Sequence, residues 1–205
     1  MKILIVDDHA VLREGVRRLL SSIPGAEIVE ASTGHEALTL FRKTQPSVTV
    51  LDVNLNGSSG LELLQRLKAE SKSARIVMFT MHSEPSYAAR AIRAGAMGYV
   101  SKSADSDELV AAVRKVAAGE NYLDRDLASV LAFTPAQSAD PFSTLSNREV
   151  EIMRLLGEGK SLRQIAGTFG IAYKTVANSC SRLKTKLGLE RTADLIRIAL
   201  ENQKK

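Results

Sequence analysis

The chain has 205 residues, 44% of them hydrophobic and 25% charged, and carries a net charge of +5. That balance excludes a disordered tail or a fibre, and the length suits one large domain or two small ones. No apolar run approaches the roughly 18 residues of a membrane span. The lone cysteine, Cys180, excludes a disulfide framework, and a reducing cytoplasm is expected.

In chain order, the N-terminal run "MKILIVDD" is too short and too soon acidic for a secretory leader, and reads instead as a strand at Ile3–Val6. Four further apolar runs follow, at Glu27–Ala31, Val48–Leu51, Ile76–Thr80 and Gly98–Ser101. Helical patterns at about 9–22, 33–44, 59–70, 84–94 and 105–118 alternate with them. Five strands each followed by a helix predict an α/β domain with a doubly wound, five-stranded parallel sheet over residues 1–120. The strands are nearly all apolar, as strands covered on both faces must be. Right-handed crossovers then bring all five strand C-termini to one edge.

Residues 121–142 change character. A short helix is allowed at Asp126–Phe133, but "TPAQSADP" has two prolines among small polar residues, a linker signature. Residues 143–205 read as a second, all-α domain of four helices. Ser146 with Glu149, and Ser161 with Gln164, have capping-box spacing. Gly170 ends the second helix, a third runs over 173–187 to Gly188, and Thr192 is expected to cap a fourth. This segment holds 12 Lys/Arg against 6 Asp/Glu, a net of +6, while residues 1–120 are near neutral at +1. A small basic module on a neutral body suits a polyanion partner.

The sheet-edge rule gathers a set of polar residues. Strand 1 ends in Asp7 and Asp8, strand 3 in Asp52, strand 4 in Thr80, and strand 5 in Ser101 and Lys102. Carboxylates within a few ångströms repel strongly in a partly buried site. A hard divalent cation with oxygen ligands relieves this, and Mg2+ suits a shallow site that keeps several waters. With the cation and Lys102 beside it, Asp52 stays ionised and able to attack a phosphoryl group, forming an acyl phosphate. Lys102 and the cation stabilise the phosphoryl oxygens, and the Thr80 hydroxyl donates to one of them.

The segments "ILIVDDH", "LDVNLNGSSGLELL", "VMFTMHSE" and "AGAMGYVSK" resemble the receiver domain of two-component response regulators, over about residues 2–120. The resemblance implies a flavodoxin-like fold with Asp52 as phosphoacceptor, and Asp7, Asp8, Asp52 and the Asn54 carbonyl as metal ligands. It implies Thr80 and Tyr99 as a switch pair, Lys102 as the phosphate-binding lysine, and a sensor histidine kinase as phosphodonor. Two positions depart from the usual pattern, and two others bear on phosphoryl lifetime. Asn56 and Ser103 stand where proline is common, and His82 with Asn54 occupies positions that tune phosphoryl lifetime. His9 and His35 are read as helix-start and surface residues.

From Thr144 to Leu200 the chain resembles the LuxR-type helix-turn-helix of NarL/FixJ regulators. Val150, Met153, Leu155, Leu156, Ile165, Ala166, Ile171, Val176, Leu183 and Leu187 are the expected core. The resemblance makes residues 173–187 a recognition helix, with Lys174, Thr175, Asn178, Ser181, Arg182 and Lys186 toward double-stranded DNA. Lysine and arginine neutralise phosphates, and asparagine pairs with an adenine edge. Ala177 and Ser179 replace the lysine and histidine often found there. The expected protein is a transcription regulator switched by phosphorylation, which dimerises on phosphorylation or DNA binding and is not a turnover enzyme. Two other readings stay open. A phosphatase of the haloacid-dehalogenase kind expects its nucleophile at the end of strand 1 in an Asp-x-Asp pattern, whereas here the acids are adjacent. A receiver-bearing adaptor would act through protein contacts alone.

Overall fold

The five apolar runs form parallel strands: β1 (Lys2–Val6), β2 (Glu27–Ala31), β3 (Val48–Leu51), β6 (Ile76–Thr80) and β7 (Gly98–Ser101). The computed structural model describes every residue except 56–57, 82–84, 124–144 and 204–205; of 58, 85–86, 147, 202 and 203 it describes the backbone only. Asn56, His82 and the helix considered at Asp126–Phe133 therefore lie outside the described residues. The described chain falls into two compact units, Met1–Ala136 and Gln137–Lys205.

In the first unit the six strands of the main sheet run in the order β2-β1-β3-β6-β7-β8, and every pairing within that sheet is parallel. The sheet thus has one more strand than expected. The addition, β8 (Tyr122–Leu123), extends the edge beside β7 from residues assigned to the linker. Two residues are too few to show a period in the sequence. Tertiary contacts hold the segment instead: the Tyr122 amide donates to the Met97 carbonyl at 2.8 Å and its hydroxyl to Glu108, and the Lys115 ammonium lies over its ring.

Strand alternation divides the core into two layers. On one face Ile3, Ile5, Val48, Val50, Val77 and Val100 pack against Val16 and Leu20 of α1 (Ala10–Leu20) and Leu109, Ala112, Val113 and Val116 of α5 (Ser106–Ala118). The alternate residues, Leu4, Leu51, Met78 and Tyr99 among them, face the other way and are wholly buried. Helices α2 (Gly34–Thr44), α3 (Gly60–Glu70) and α4 (Pro85–Arg93) are the other helices among the described residues of this unit. Leu61, Leu64 and Leu67 of α3 are also almost fully buried, each a gain of about 2 kcal/mol over exposure.

One polar residue interrupts that second face. Thr49, between Leu4 of β1 and Ile76 of β6, is buried, and its hydroxyl has no hydrogen-bond partner among the described residues. An unsatisfied buried hydroxyl carries its desolvation cost without return. Thr49→Val should therefore raise stability by about 1 kcal/mol. A higher urea midpoint with unchanged slope checks this; a lower midpoint contradicts it.

The described residues of the second unit form four helices: α6 (Asn147–Gly157), α7 (Leu162–Phe169), α8 (Tyr173–Leu187) and α9 (Thr192–Gln203). Both expected capping boxes form, at Ser146/Glu149 and Ser161/Gln164. Gly170 and Gly188 close α7 and α8 in the left-handed region (φ 62° and 67°), where a side chain is strained. Thr192 is the first residue of α9 and not its cap, since the Arg191 carbonyl already accepts from the Asp194 and Leu195 amides. Of the expected core, Met153, Leu155, Leu156, Ile165, Ala166, Val176 and Leu183 are buried, and Val150, Ile171 and Leu187 pack half-buried against them. Ile152, Phe169, Cys180 and Leu195 join this core. Cys180 is a free, buried thiol whose pKa burial raises, an inert packing residue.

Candidate functional sites

A parallel sheet carries each strand's last residue to the same rim. Asp7 follows β1, Asp52 follows β3, Thr80 ends β6, and Lys102 follows β7. There the Lys102 ammonium donates to Oδ2 of Asp52 at 2.6 Å and to Oδ2 of Asp7 at 2.7 Å. All three side chains are only 4% exposed. The sequence separations are 50 and 95 residues, so only the fold creates this cluster. The Lys102 amide also donates to the Thr80 carbonyl at 2.8 Å, fixing where the lysine leaves the sheet.

Burial dominates the electrostatics of Asp52 and raises its pKa. Attraction and hydrogen bonding from Lys102 oppose that rise, the Asp7 charge adds to it, and the Asn54 amide, 3.3 Å from Oδ1, opposes it. A carboxylate this dry is held charged by one shared ammonium. Asp8 lies beside the pair with its side chain largely buried. Asn54 is exposed at the start of β4 (Asn54–Leu55), which pairs antiparallel with β5 (Ser58–Ser59).

Three further residues surround the cluster, of which the sequence placed only His9, at a helix start. His9 caps α1, its amide 2.7 Å from Oδ1 of Asp7 and its Nδ1 2.9 Å from Oδ1 of Asp8. Arg13 donates to the Asp7 carbonyl at 2.7 Å and to Glu30 at 3.1 Å, tying the start of α1 to β2. Gly60 lies directly against the backbone of Asp52 and Val53. His9 adjoins the acid pair in sequence and was the most discoverable of the three.

Ligand atoms of Asp7, Asp8, His9 and Asp52 all lie within 4.8 Å of one another. The carboxylate oxygens are hard donors of the kind Mg2+ takes, so the residues fit the expected cation. Thr80 and Tyr99 are both completely buried. The register pairs Met78 with Tyr99 and Thr80 with Ser101, so Thr80 and Tyr99 lie on the same sheet face, two residues apart along neighbouring strands.

In the second unit, Lys174, Thr175, Asn178, Ser181, Arg182 and Lys186 are all exposed on α8. Thr175, Asn178, Ser181 and Arg182 line one shallow depression. Two residues depart from expectation. Ser179 is buried, its hydroxyl donating to the Thr175 carbonyl, so it is no groove-facing substitute for histidine. Lys186 has its ammonium on Glu149 of α6, 2.7 Å away. Tyr173 begins α8, where the sequence put the helix start, and is 54% exposed.

No helix among the described residues is long and apolar enough to cross a membrane. The response regulator receiver domain family matches residues 3–114, and the luxR family of bacterial regulatory proteins matches residues 143–199. The response regulator UvrY of Escherichia coli K12 is 33% identical over 206 aligned residues, covering 98% of this chain and 94% of UvrY. A crystal structure of a LuxR-family two-component response regulator from Aurantimonas sp. is 42% identical. It covers 64% of this chain and 94% of that one, with a TM-score of 0.62. RcsB of Salmonella typhimurium, 23% identical, shares the fold across 98% of this chain and 97% of its own, with a TM-score of 0.70. The rim of acids with its lysine, the exposed polar face of α8 and these matches agree: the chain belongs to the response regulators that join a receiver domain to a LuxR-type DNA-binding domain.

Proposed function

We propose that Asp52 accepts a phosphoryl group from a sensor histidine kinase, and that this event controls DNA binding by the C-terminal domain. The observation that carries the reading is the dry carboxylate of Asp52, with Lys102 2.6 Å away and Asp7 and Asp8 beside it. Lys102 holds Oδ2 and the Asn54 amide lies on Oδ1. One carboxylate oxygen bonds to phosphorus while the phosphorus–nitrogen bond of the donor histidine breaks, its electron pair returning to the imidazole. Burial keeps water from the resulting acyl phosphate. Asp7, Asp8, Asp52 and the Asn54 carbonyl would hold Mg2+, which supplies charge neutralisation for the phosphoryl oxygens. Lys102 supplies the same from the protein side and orients the group.

Thr80 then turns its hydroxyl toward the phosphoryl oxygens. Tyr99, on the same face one strand away, repacks into the space released, and the surface around α4, β7 and α5 changes shape. The chain thus works as a stoichiometric switch and not by turnover, in the cytoplasm where DNA is accessible. On DNA, α8 enters the major groove. Lys174 and Arg182 meet phosphates or guanine edges, Asn178 an adenine edge, and Thr175 and Ser181 the intervening polar atoms. Two chains present two such helices, so a homodimer reads two half-sites.

Selection of bound duplexes from a random pool, with and without acetyl phosphate and Mg2+, tests the whole reading. Paired half-sites should emerge, more strongly with the phosphodonor, and Lys174→Met should reduce the slope of log K against log [salt] by about 0.9. A pool that stays random, with binding indifferent to salt, would favour the adaptor.

A further inference from the structure

Lys186 lies in the last turn of α8 among residues that face DNA, yet its charge is committed elsewhere. Its ammonium sits 2.7 Å from Oε2 of Glu149, the third residue of α6. The same oxygen accepts the Ser146 amide at 2.7 Å, and the Glu149 amide donates in turn to the Ser146 hydroxyl at 3.3 Å. Glu149 is only 5% exposed. Burial raises its pKa, but the bonds from Lys186 and Ser146 together outweigh burial and leave it below the ordinary range. A capping box is complete within one helix, so Lys186 adds something different. It ties the first turn of α6 to the last turn of α8, across 37 residues of sequence.

We infer that Lys186 is a positioning residue, which sets the direction of the recognition helix and does not neutralise a DNA phosphate. To reach a phosphate its ammonium would have to abandon a buried carboxylate, leaving that charge uncompensated. Lys174 stands at the other end of the exposed helix and makes the salt-sensitive contact. The inference rests on the DNA-binding reading above and is tested separately from it.

The experiment measures binding of the full-length chain to a duplex recovered by the selection, across a series of salt concentrations. Lys186→Met should weaken binding roughly tenfold, about the loss of one base pair's readout, with the salt slope unchanged. Lys174→Met should instead lower the slope by about 0.9. Adding Glu149→Gln to Lys186→Met removes the stranded charge, so the double variant should fold, but the tie between the helices is still missing and its affinity should stay roughly tenfold below wild type with the slope unchanged. A slope reduced in either variant, wild-type affinity in either variant, or a double variant that is unfolded would each overturn the assignment. Failure of the wild-type chain to bind the duplex would instead overturn the DNA-binding reading.

Discussion

Incubated with acetyl phosphate and Mg2+, the wild-type chain should gain one phosphoryl group, and the Asp52→Asn chain none. The amide of asparagine keeps the shape of the side chain but has no anionic oxygen to attack phosphorus, so the loss should be complete. Intact-protein mass spectrometry reads this directly; equal labelling of both chains would remove Asp52 as the acceptor. The same substitution should make the receiver more stable at neutral pH. Asp52 has a raised pKa in the folded state, chiefly through burial, with Lys102 opposing. Its protonated form therefore favours folding below the ordinary carboxylate pKa, and that contribution disappears as pH rises through the raised value. At neutral pH the wild type carries an ionised, dry carboxylate that the variant lacks, while Lys102 keeps Asp7 as partner. The stability advantage of Asp52→Asn should shrink as the pH is lowered through that window. Denaturant midpoints at several pH values, in the absence of divalent cations, measure it. The cost of holding Asp52 charged is thus built into the site, and Mg2+ should relieve part of it in the wild type.

Gly60→Ala should be nearly as damaging to phosphorylation, although Gly60 carries no chemistry. A methyl group at that position would lie 2.8 Å from the Asp52 carbonyl carbon and 2.9 Å from Val53 Cα, and closer still to the Asp52 carbonyl oxygen. These are backbone atoms, which no rotamer change can move aside. The Gly60 amide also donates to the Val53 carbonyl at 2.7 Å, so the first turn of α3 is pinned to the segment that carries Asp52. Relief of the clash must displace Asp52, the start of α3, or both. A destabilisation of about 3 kcal/mol is expected, in the upper range for overpacking, together with strongly reduced phosphoryl incorporation. The urea midpoint and the acetyl phosphate assay test the two effects independently. Wild-type labelling and stability in this variant would show that the close approach has no functional weight.

The sequence was most informative where local chemistry acts alone. Apolar runs bounded by polar residues marked five strands, because a strand covered on both faces must be mostly apolar. Ser146/Glu149 and Ser161/Gln164 announced two helix starts, because a capping box closes within four residues and needs no partner from elsewhere. The order of strands and helices was enough to send Asp7, Asp52, Thr80 and Lys102 to one rim, since parallel crossovers have one hand. Several features were decided by the tertiary structure alone. Tyr122–Leu123 became a strand only because Met97, Glu108 and Lys115 hold it there. The spacing in the chain gave no sign that Gly60 rests on Asp52, that Arg13 holds the Asp7 carbonyl, or that Lys186 turns back to Glu149. Composition and periodicity record which face of an element is apolar and where it begins. Which long side chain reaches which distant carboxylate depends on distances between elements, and those exist only once the core has packed.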